Sequence, residues 1–117
     1  MKDDSIIAEK SFQFAVRIVN LYKYLVSNSN EYVLSRQLLK SGTSIGANVS
    51  EASQAQSKAD FVSKMNIALK EATESKYWLD LLLATDYLSQ SQHKSLYNDC
   101  VEIEKILVTI VKSSKHN

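Results

Sequence analysis

The sequence has no proline and only two glycines among its 117 residues. Tight hairpin turns depend on glycine, asparagine and proline, so a fold of many short strands lacks its turn residues here. Hydrophobic residues make up 44% of the chain and charged residues 23%, which is a globular composition. Long stretches of leucine, alanine, lysine and glutamate without helix breakers favour helices. We therefore predict a single all-α domain over residues 1–117.

Disulfides, export signals and membrane spans are equally poorly supported. Cys100 is the single cysteine, so it has no partner for an intramolecular disulfide, and Asp99 and Glu102 nearby would not activate a thiolate. The first ten residues carry acids where a secretion signal needs a basic and then an apolar segment. No stretch reaches the roughly 18 apolar residues of a membrane-spanning helix. We expect a cytoplasmic protein without membrane contact.

Four segments have helical periodicity, at roughly residues 4–27, 31–56, 58–88 and 92–113. The first carries an apolar stripe with steps of three and four, widened on one side. The stripe is Ala8, Phe12, Ala15, Val19, Tyr22 and Val26, and the widening residues are Phe14, Ile18 and Leu25. Because the connections are short, neighbouring helices must run antiparallel. The pattern predicts an up-down-up-down antiparallel four-helix bundle.

Start signals precede the second and third helices. Asn28 is placed as an N-cap, with Glu31 three residues later to complete a capping box. Ser57 and Asp60 form the same pattern ahead of the third helix. We expect both pairs to satisfy backbone N–H groups at the helix starts.

Small and aromatic residues on the middle helices suggest close contacts. Gly42 and Gly46 lie inside the second helix at a cost of about 1 kcal/mol each, which indicates that another backbone approaches there. The small residues serve either packing within the bundle, a contact with a second subunit or a ligand groove. Tyr77 and Trp78 lie beside Leu79, which already belongs to the core stripe, so another surface is needed to bury these two aromatic side chains. We predict that the chain forms a closed homo-oligomer.

Polar residues on the same helices allow two interpretations. A hydrogen-bond network between helices is predicted for Gln37, Ser44, Asn48, Glu51, Glu71 and Glu74. The alternative is a binding edge for nucleic acid built from Arg17, Lys23, Arg36, Lys40 and Lys64. The formal net charge of +1 produces no large field, so this second interpretation depends on local clustering of cations.

Catalytic machinery is poorly represented. A di-iron bundle needs Glu-x-x-His on two helices, and neither His93 nor His116 has glutamate three residues before it. No phosphate-binding glycine loop or catalytic triad is present. We predict no metal, no cofactor and no enzymatic activity, and we keep a metal-dependent bundle enzyme as a remote alternative.

The middle of the chain also carries a family resemblance. Residues 37–52 read QLLKSGTSIGANVSEA and are followed by Asp60-Phe61, by IALKEA at 67–72, by Glu74 and by Tyr-Trp-Leu at 77–79. These motifs resemble the four-helix-bundle proteins encoded within intervening sequences of bacterial 23S rRNA genes, a family that includes the accessory variability protein of diversity-generating retroelements. The resemblance implies a homopentamer with a central channel and no known enzymatic activity. In the retroelement relative, the assembly binds nucleic acid and a reverse transcriptase through basic surface.

The chain departs from that family at basic positions. Relatives often carry arginine where this chain has Lys40, Ser50 and Gln54, so its basic density is lower. We expect an oligomeric binding scaffold of five subunits whose partner is structured RNA or a nucleic-acid enzyme. The alternative is a bundle that binds another protein and has no role with nucleic acid.

Overall fold

Four α-helices make up the chain in the computed structural model, which describes the backbone of residues 2–115 and the side chains of residues 4–115. They are α1 (Lys2–Ser29), α2 (Leu34–Ala52), α3 (Lys58–Ala84) and α4 (Gln90–Lys115). Within these residues there is no strand. His116, considered above as a metal ligand, lies outside the described residues.

The helices pack as a four-cornered bundle. Each helix contacts its neighbours in sequence, and α4 returns to contact α1. Over the described residues, the diagonal pairs α1–α3 and α2–α4 make no close backbone approach. The predicted up-down-up-down antiparallel four-helix bundle is confirmed, because short connections leave only the antiparallel arrangement of neighbours.

The core lies along the bundle axis, but α1 turns a different face toward it than predicted. The predicted α4 residues Leu96, Cys100, Ile103, Leu107 and Ile110 are all buried. On α1 the buried side chains are Ile7, Ser11, Phe14, Ile18 and Leu25. The predicted main stripe is therefore wrong, since its Phe12 is 69% exposed. Two apolar stripes run along α1, and periodicity alone does not say which one faces the core.

Both of the middle helices end earlier than predicted. The second ends at Ala52 rather than near residue 56, and the third at Ala84 rather than near 88. The third ends because Asp86 adopts a left-handed conformation with φ 68°. The Asp86 N–H then bonds to the Leu83 carbonyl at 3.1 Å, and the Tyr87 N–H to the Leu82 carbonyl at 2.9 Å. This pair of bonds is a Schellman closure, which satisfies carbonyls at the helix end.

The turn between α1 and α2 is held by Glu31 rather than by Asn28. Asn28 lies inside α1, so the predicted capping box is wrong. One Glu31 oxygen accepts from the N–H groups of Val33 at 3.1 Å and Leu34 at 3.0 Å, and the other accepts from Ser35 at 2.7 Å. Burial raises the pKa of this carboxyl, but the three backbone donors outweigh burial, so the pKa is lowered overall.

The start of α3 follows its sequence signal. Ser57 has an extended backbone, and its hydroxyl accepts a hydrogen bond from the Asp60 N–H at 3.0 Å. The Asp60 carboxylate reaches back to the N–H of Gln56 at 3.3 Å, one residue before the position in an ideal capping box. The predicted cap is confirmed.

The two glycines of α2 set its distance from α1. A Cβ atom at Gly42 would lie 2.9 Å from Cγ1 of Ile18, and one at Gly46 would lie 3.3 Å from the Ser11 carbonyl oxygen. Packing within the bundle therefore accounts for both glycines. The two contacts also fix the antiparallel register of α1 against α2.

Polar contacts join α3 to α4. Lys76 Nζ lies 2.9 Å from Glu104 Oε1, and this hydrogen bond raises the pKa of Lys76 against the lowering effect of burial. Thr73 donates to the other Glu104 oxygen at 2.9 Å. Further along, His93 Nε2 lies 2.8 Å from Asp80 Oδ1. Charged groups between these two helices are thus satisfied by one another.

Candidate nucleic-acid interface

Charge is divided unevenly between the two halves of the chain. Residues 10–50 carry five cations and one acid, a balance of +4, whereas residues 51–115 carry eight lysines and nine acids, a balance of −1. The one acid of the first segment is Glu31, which is 7% exposed and already holds three backbone N–H groups. Residues 10–50 are therefore basic, whereas residues 2–9 carry one lysine and three acids.

Two of the five predicted nucleic-acid-binding residues are engaged in ion pairs. Arg17 Nη1 donates to Asp99 on α4, and its Nη2 donates to Ser95 at 2.8 Å. Lys64 on α3 lies 3.0 Å from Glu51 on α2, and that hydrogen bond raises the pKa of Lys64. Both cations meet acids that reduce their attraction for phosphate.

The other three cations lie toward the same end of the bundle, and we call them the basic cluster: Lys23, Arg36 and Lys40. All three are exposed, and none has an ion-pair partner among the described residues. Ile18 on α1 contacts Gly42 on α2, and the two helices run antiparallel. Lys23 follows Ile18 by five residues and Arg36 precedes Gly42 by six, so the two cations lie at nearly the same height along the bundle. Lys40 follows one helical turn, about 6 Å, along α2.

The five predicted residues do not make a single patch. Glu51, the partner of Lys64, lies 15 residues beyond Arg36 on α2. At 1.5 Å per residue, this separation is about 22 Å along the bundle. The basic cluster lies toward the α1–α2 turn, whereas Arg17 lies on the α4 side and Lys64 near the opposite end.

The predicted polar network between helices is largely wrong. Asn48 donates to the Ser44 carbonyl at 2.8 Å within α2, and Glu74 accepts from Trp78 Nε1 at 3.1 Å within α3. Of the predicted set, Glu51 alone makes a side-chain contact between helices among the described residues, with Lys64.

The remaining two members of that set behave differently from the prediction. The side chains of Gln37 and Glu71 make no hydrogen bond with described residues, although the Glu71 carbonyl lies 2.8 Å from Ser75 Oγ. The buried contact between α2 and α3 is instead Ser75 Oγ to Ser41 Oγ at 2.9 Å. Both serines look like ordinary small residues in the sequence, so the pattern contained no signal for this bond.

An apolar groove lies between α1 and α2 at the end away from the basic cluster. It encloses about 940 Å³. Its lining includes Ala8, Phe12, Ala15, Gly46, Ala47, Phe61 and Met65. Phe12 is 69% exposed there, and Val16, one turn further along α1, is 45% exposed. The sequence pattern did not reveal this surface, because it placed Phe12 in the core.

The residues predicted to contact another subunit are dispersed. Gly42 is buried against Ile18, whereas Gly46 lines the apolar groove. Tyr77 is 59% exposed on α3, and its ring meets that of the half-buried Trp78 edge-on at 5.0 Å between centroids. The structure therefore brings none of the glycines together with the aromatic pair.

Two exposed tyrosines near the basic cluster were also missed. Tyr24 is 45% exposed and directly follows Lys23, and Tyr32 is 48% exposed, four residues before Arg36. Aromatic rings beside cations are typical of surfaces that bind unpaired nucleotides. Their positions next to Lys23 and Arg36 were the signal available in the sequence.

Neither metal ligation nor membrane spanning finds support in the described part of the chain. Across it, no three His, Cys, Asp or Glu side chains come together as ligands would. None of the four helices, as far as they are described, is long and apolar enough to cross a bilayer. Cys100 is buried, its Sγ donates to the Ala72 carbonyl at 3.1 Å, and burial raises its pKa to about 12.

Comparisons with known proteins agree with the predicted family. A crystal structure of a protein of unknown function from the S23 ribosomal protein family of Bacteroides thetaiotaomicron matches with a TM-score of 0.93 and 57% sequence identity. The match covers 94% of this chain and 98% of that one. Among curated protein sequences no match is found. The family model described as 23S rRNA-intervening sequence protein matches residues 3–109, and the chain therefore belongs to this family.

Proposed function

We propose that this protein is a non-enzymatic, cytoplasmic scaffold that assembles with copies of itself and binds structured RNA through the basic cluster. One observation carries the proposal. The three cations Lys23, Arg36 and Lys40 are exposed and have no acidic partner among the described residues. They lie within residues 10–50, where the one acid, Glu31, is buried and accepts backbone hydrogen bonds at the start of α2. Such a surface attracts phosphate because its cations make no ion pair with described residues that would have to be broken first.

The type of cation fits phosphate recognition. Arg36 presents a planar set of donors that matches two phosphate oxygens, while the two lysines act as point charges. Three cations from one subunit give weak binding. Copies in a ring multiply such contacts, since linked sites raise avidity without any new contact.

Self-assembly draws its support from the apolar groove. An exposed phenylalanine beside a wall of alanines and a glycine leaves apolar surface that a second copy can cover. A head-to-tail contact that uses such a surface on every copy closes into a ring when the rotation allows. The family resemblance suggests five subunits.

The same groove favours a second candidate function, the binding of another protein without any role for nucleic acid. The groove has a volume of about 940 Å³ with Phe12, Phe61 and Met65 in its lining, and helical partners commonly dock an apolar face into such grooves. The two candidates differ in what removal of the cations does.

The test compares two double variants. Arg36→Ala with Lys40→Ala removes two cations of the basic cluster, and Lys105→Ala with Lys112→Ala removes two exposed lysines from α4 as a matched control. Binding to labelled structured RNA is measured at about 50 and 200 mM salt. We expect the first variant to lose about tenfold in affinity at low salt and its salt slope to fall by about 1.5. The control should resemble the wild type.

Light scattering must show the same assembled mass for both variants, so that a loss of avidity is not mistaken for a loss of contacts. Equal losses in the two variants would mean that RNA binding follows overall charge rather than the basic cluster. No binding by the wild type at low salt would rule out the RNA function and leave the protein-binding candidate. A monomer mass for the wild type would contradict self-assembly.

A further inference from the structure

A second cleft lies between α1 and α4, on the flank of α1 opposite the α2 side. It encloses about 320 Å³ and lies toward the same end of the bundle as the basic cluster. Its lining residues are Arg17, Asn20, Leu21, Tyr24, Gln92 and Leu96. The volume is at the small end of ligand-binding clefts, which suits a single planar group.

The charges at this cleft cancel. Arg17 is held on α4 by Asp99 and by Ser95, so its guanidinium is already oriented before any ligand arrives. Because the arginine is paired with an aspartate, the cleft offers little attraction to a phosphate. A neutral ligand with its own hydrogen-bonding groups is better matched to it.

The other residues that line the cleft supply an aromatic ring, apolar side chains and two amides. Tyr24 keeps 45% of its surface exposed, and Leu96, which also lines the cleft, is buried. Asn20 is exposed and makes no hydrogen bond with described residues. Gln92 uses its Oε1 to accept from the Ser89 N–H at 2.9 Å, which leaves its amide hydrogens available to donate.

We propose that this cleft binds the base of an unpaired nucleotide. The Tyr24 ring stacks on the base, and the amides of Asn20 and Gln92 bond to the base edge, which carries both donors and acceptors. The inference rests on the proposed RNA function and narrows it, because bases in a duplex are stacked and paired and do not reach such a cleft. The ligand class is therefore RNA with single-stranded segments.

The position of the cleft beside the basic cluster supports a strand rather than an isolated nucleotide. Lys23 and Tyr24 are consecutive on α1, so their side chains leave the helix about 100° apart. A strand that crosses α1, about 10 Å across, meets the lysine with its phosphates and the tyrosine with a base. Phosphates thus bind the charged surface while the neutral cleft receives the base.

The test uses a labelled single-stranded RNA and a blunt RNA duplex of the same length at about 50 mM salt. Tyr24→Ala should weaken binding of the single strand about tenfold and leave the duplex unchanged, because it removes one stacking surface and no charge. Tyr24→Phe keeps the ring and should bind like the wild type. Tyr77→Ala removes an exposed tyrosine from α3 and serves as the matched control. Because Tyr77 is predicted to contact a second subunit, light scattering must show that this variant keeps the assembled mass of the wild type.

Several outcomes would overturn the inference. Equal weakening of single strand and duplex by Tyr24→Ala, or no weakening of either, would show that the ring does not stack on a base. The same tenfold loss in Tyr77→Ala would show that the effect is not specific to the cleft. Circular dichroism must show that Tyr24→Ala retains its helices, and loss in Asn20→Ala gives a second measure from a residue outside the core.

Titration with a free nucleotide distinguishes failure of this inference from failure of the proposed RNA function. Uridine monophosphate is titrated into the wild type, and the ring signals of Tyr24 are followed by NMR. If the wild type binds no RNA but these signals shift, the proposed function fails and the base site is retained with a free nucleotide as its ligand. If they do not shift and no RNA binds, both fail.

Discussion

The two halves of the bundle treat their charged residues differently. Between α3 and α4, Lys76 Nζ lies 2.9 Å from Glu104 and His93 Nε2 lies 2.8 Å from Asp80, so these side chains are paired across the two helices. Among the described residues no ion pair joins α1 to α2, which approach through Gly42 and its contact with Ile18. Lys23, Arg36 and Lys40 are thus left without an ion-pair partner among the described residues, whereas Lys10 and Arg17 on α1 pair with Glu102 and Asp99 on α4.

This difference shows where a partner can act. A charge that is already paired contributes little to a new contact, because binding must first break the existing pair. An unpaired, solvated cation loses only water and counterions when it meets a phosphate. The ion pairs between α3 and α4 therefore contribute to stability, and the unpaired cations of the basic cluster on α1 and α2 are the charges available for binding. Substitutions that compare buried with exposed positions test this difference between the two helix pairs.

The largest expected effect separates two phenylalanines on α1. Phe14 is 1% exposed and Phe12 is 69% exposed. Phe14→Ala should lower the free energy of unfolding by about 3–5 kcal/mol, since it removes a core ring and leaves a cavity. Phe12→Ala should change it by less than about 0.5 kcal/mol in the monomer. Urea denaturation at low protein concentration measures both.

The same pair also tests the apolar groove. If Phe12 contacts a second copy, Phe12→Ala should shift the assembled mass in light scattering toward the monomer at micromolar concentration. A variant that unfolds like the wild type and assembles like the wild type would show that this outer stripe has no role between subunits. The division between the inner and outer faces of α1 would then lose its functional meaning.

Most of the fold was predictable from the sequence, because helical periodicity and the scarcity of turn residues both reflect the local preference of each segment for an α-helix. The error on α1 has a physical cause: Ile7, Phe14 and Ile18 are apolar, but so are Phe12 and Val16, and the chain pattern does not rank two stripes. The choice is made by packing against α2, where the missing side chain of Gly42 admits Ile18. That information lies in the tertiary contacts.

The candidate site was predicted less completely than the fold. Lys23, Arg36 and Lys40 could be named from the sequence, but their grouping depends on the register of α1 against α2, which the sequence does not state. Arg17 and Lys64 look equivalent to them until Asp99 and Glu51 are brought near by the fold. Ion pairing across helices is a long-range property, so local pattern could not separate free from paired cations.

A smaller effect is expected from the α3–α4 ion pair. Glu104 and Glu102 both pair with a lysine, but the Glu104 side chain is 16% exposed and that of Glu102 is 56% exposed. Glu104→Ala leaves Lys76 half-buried without its anion and should lower the free energy of unfolding by about 1–2 kcal/mol. Glu102→Ala should cost less than about 0.5 kcal/mol.

RNA binding provides the second measurement on the same two variants. Since both acids lie outside the basic cluster, each variant should bind RNA as the wild type does. A strong loss of RNA affinity in Glu104→Ala, with the helices intact, would contradict the division between a stabilising half and a binding half. Thermal denaturation followed by circular dichroism provides the check on folding.

The smallest expected effect concerns Glu31, the single acid of the basic segment. Glu31→Gln keeps the shape of the side chain but removes the charge that accepts three backbone N–H groups, so we expect a loss of about 1 kcal/mol at neutral pH. Because the pKa of Glu31 is lowered in the folded protein, its contribution is fully present above the ordinary glutamate value of about 4.3. It is lost as the pH falls through the lowered folded value.

The difference between wild type and Glu31→Gln in urea denaturation should therefore shrink below about pH 4, whereas the exposed control Glu9→Gln should show little difference at any pH. A difference that stays constant from neutral to acidic pH would mean that the charge of Glu31 does not stabilise the turn. The negative charge of Glu31 would then offset part of the positive charge of residues 10–50.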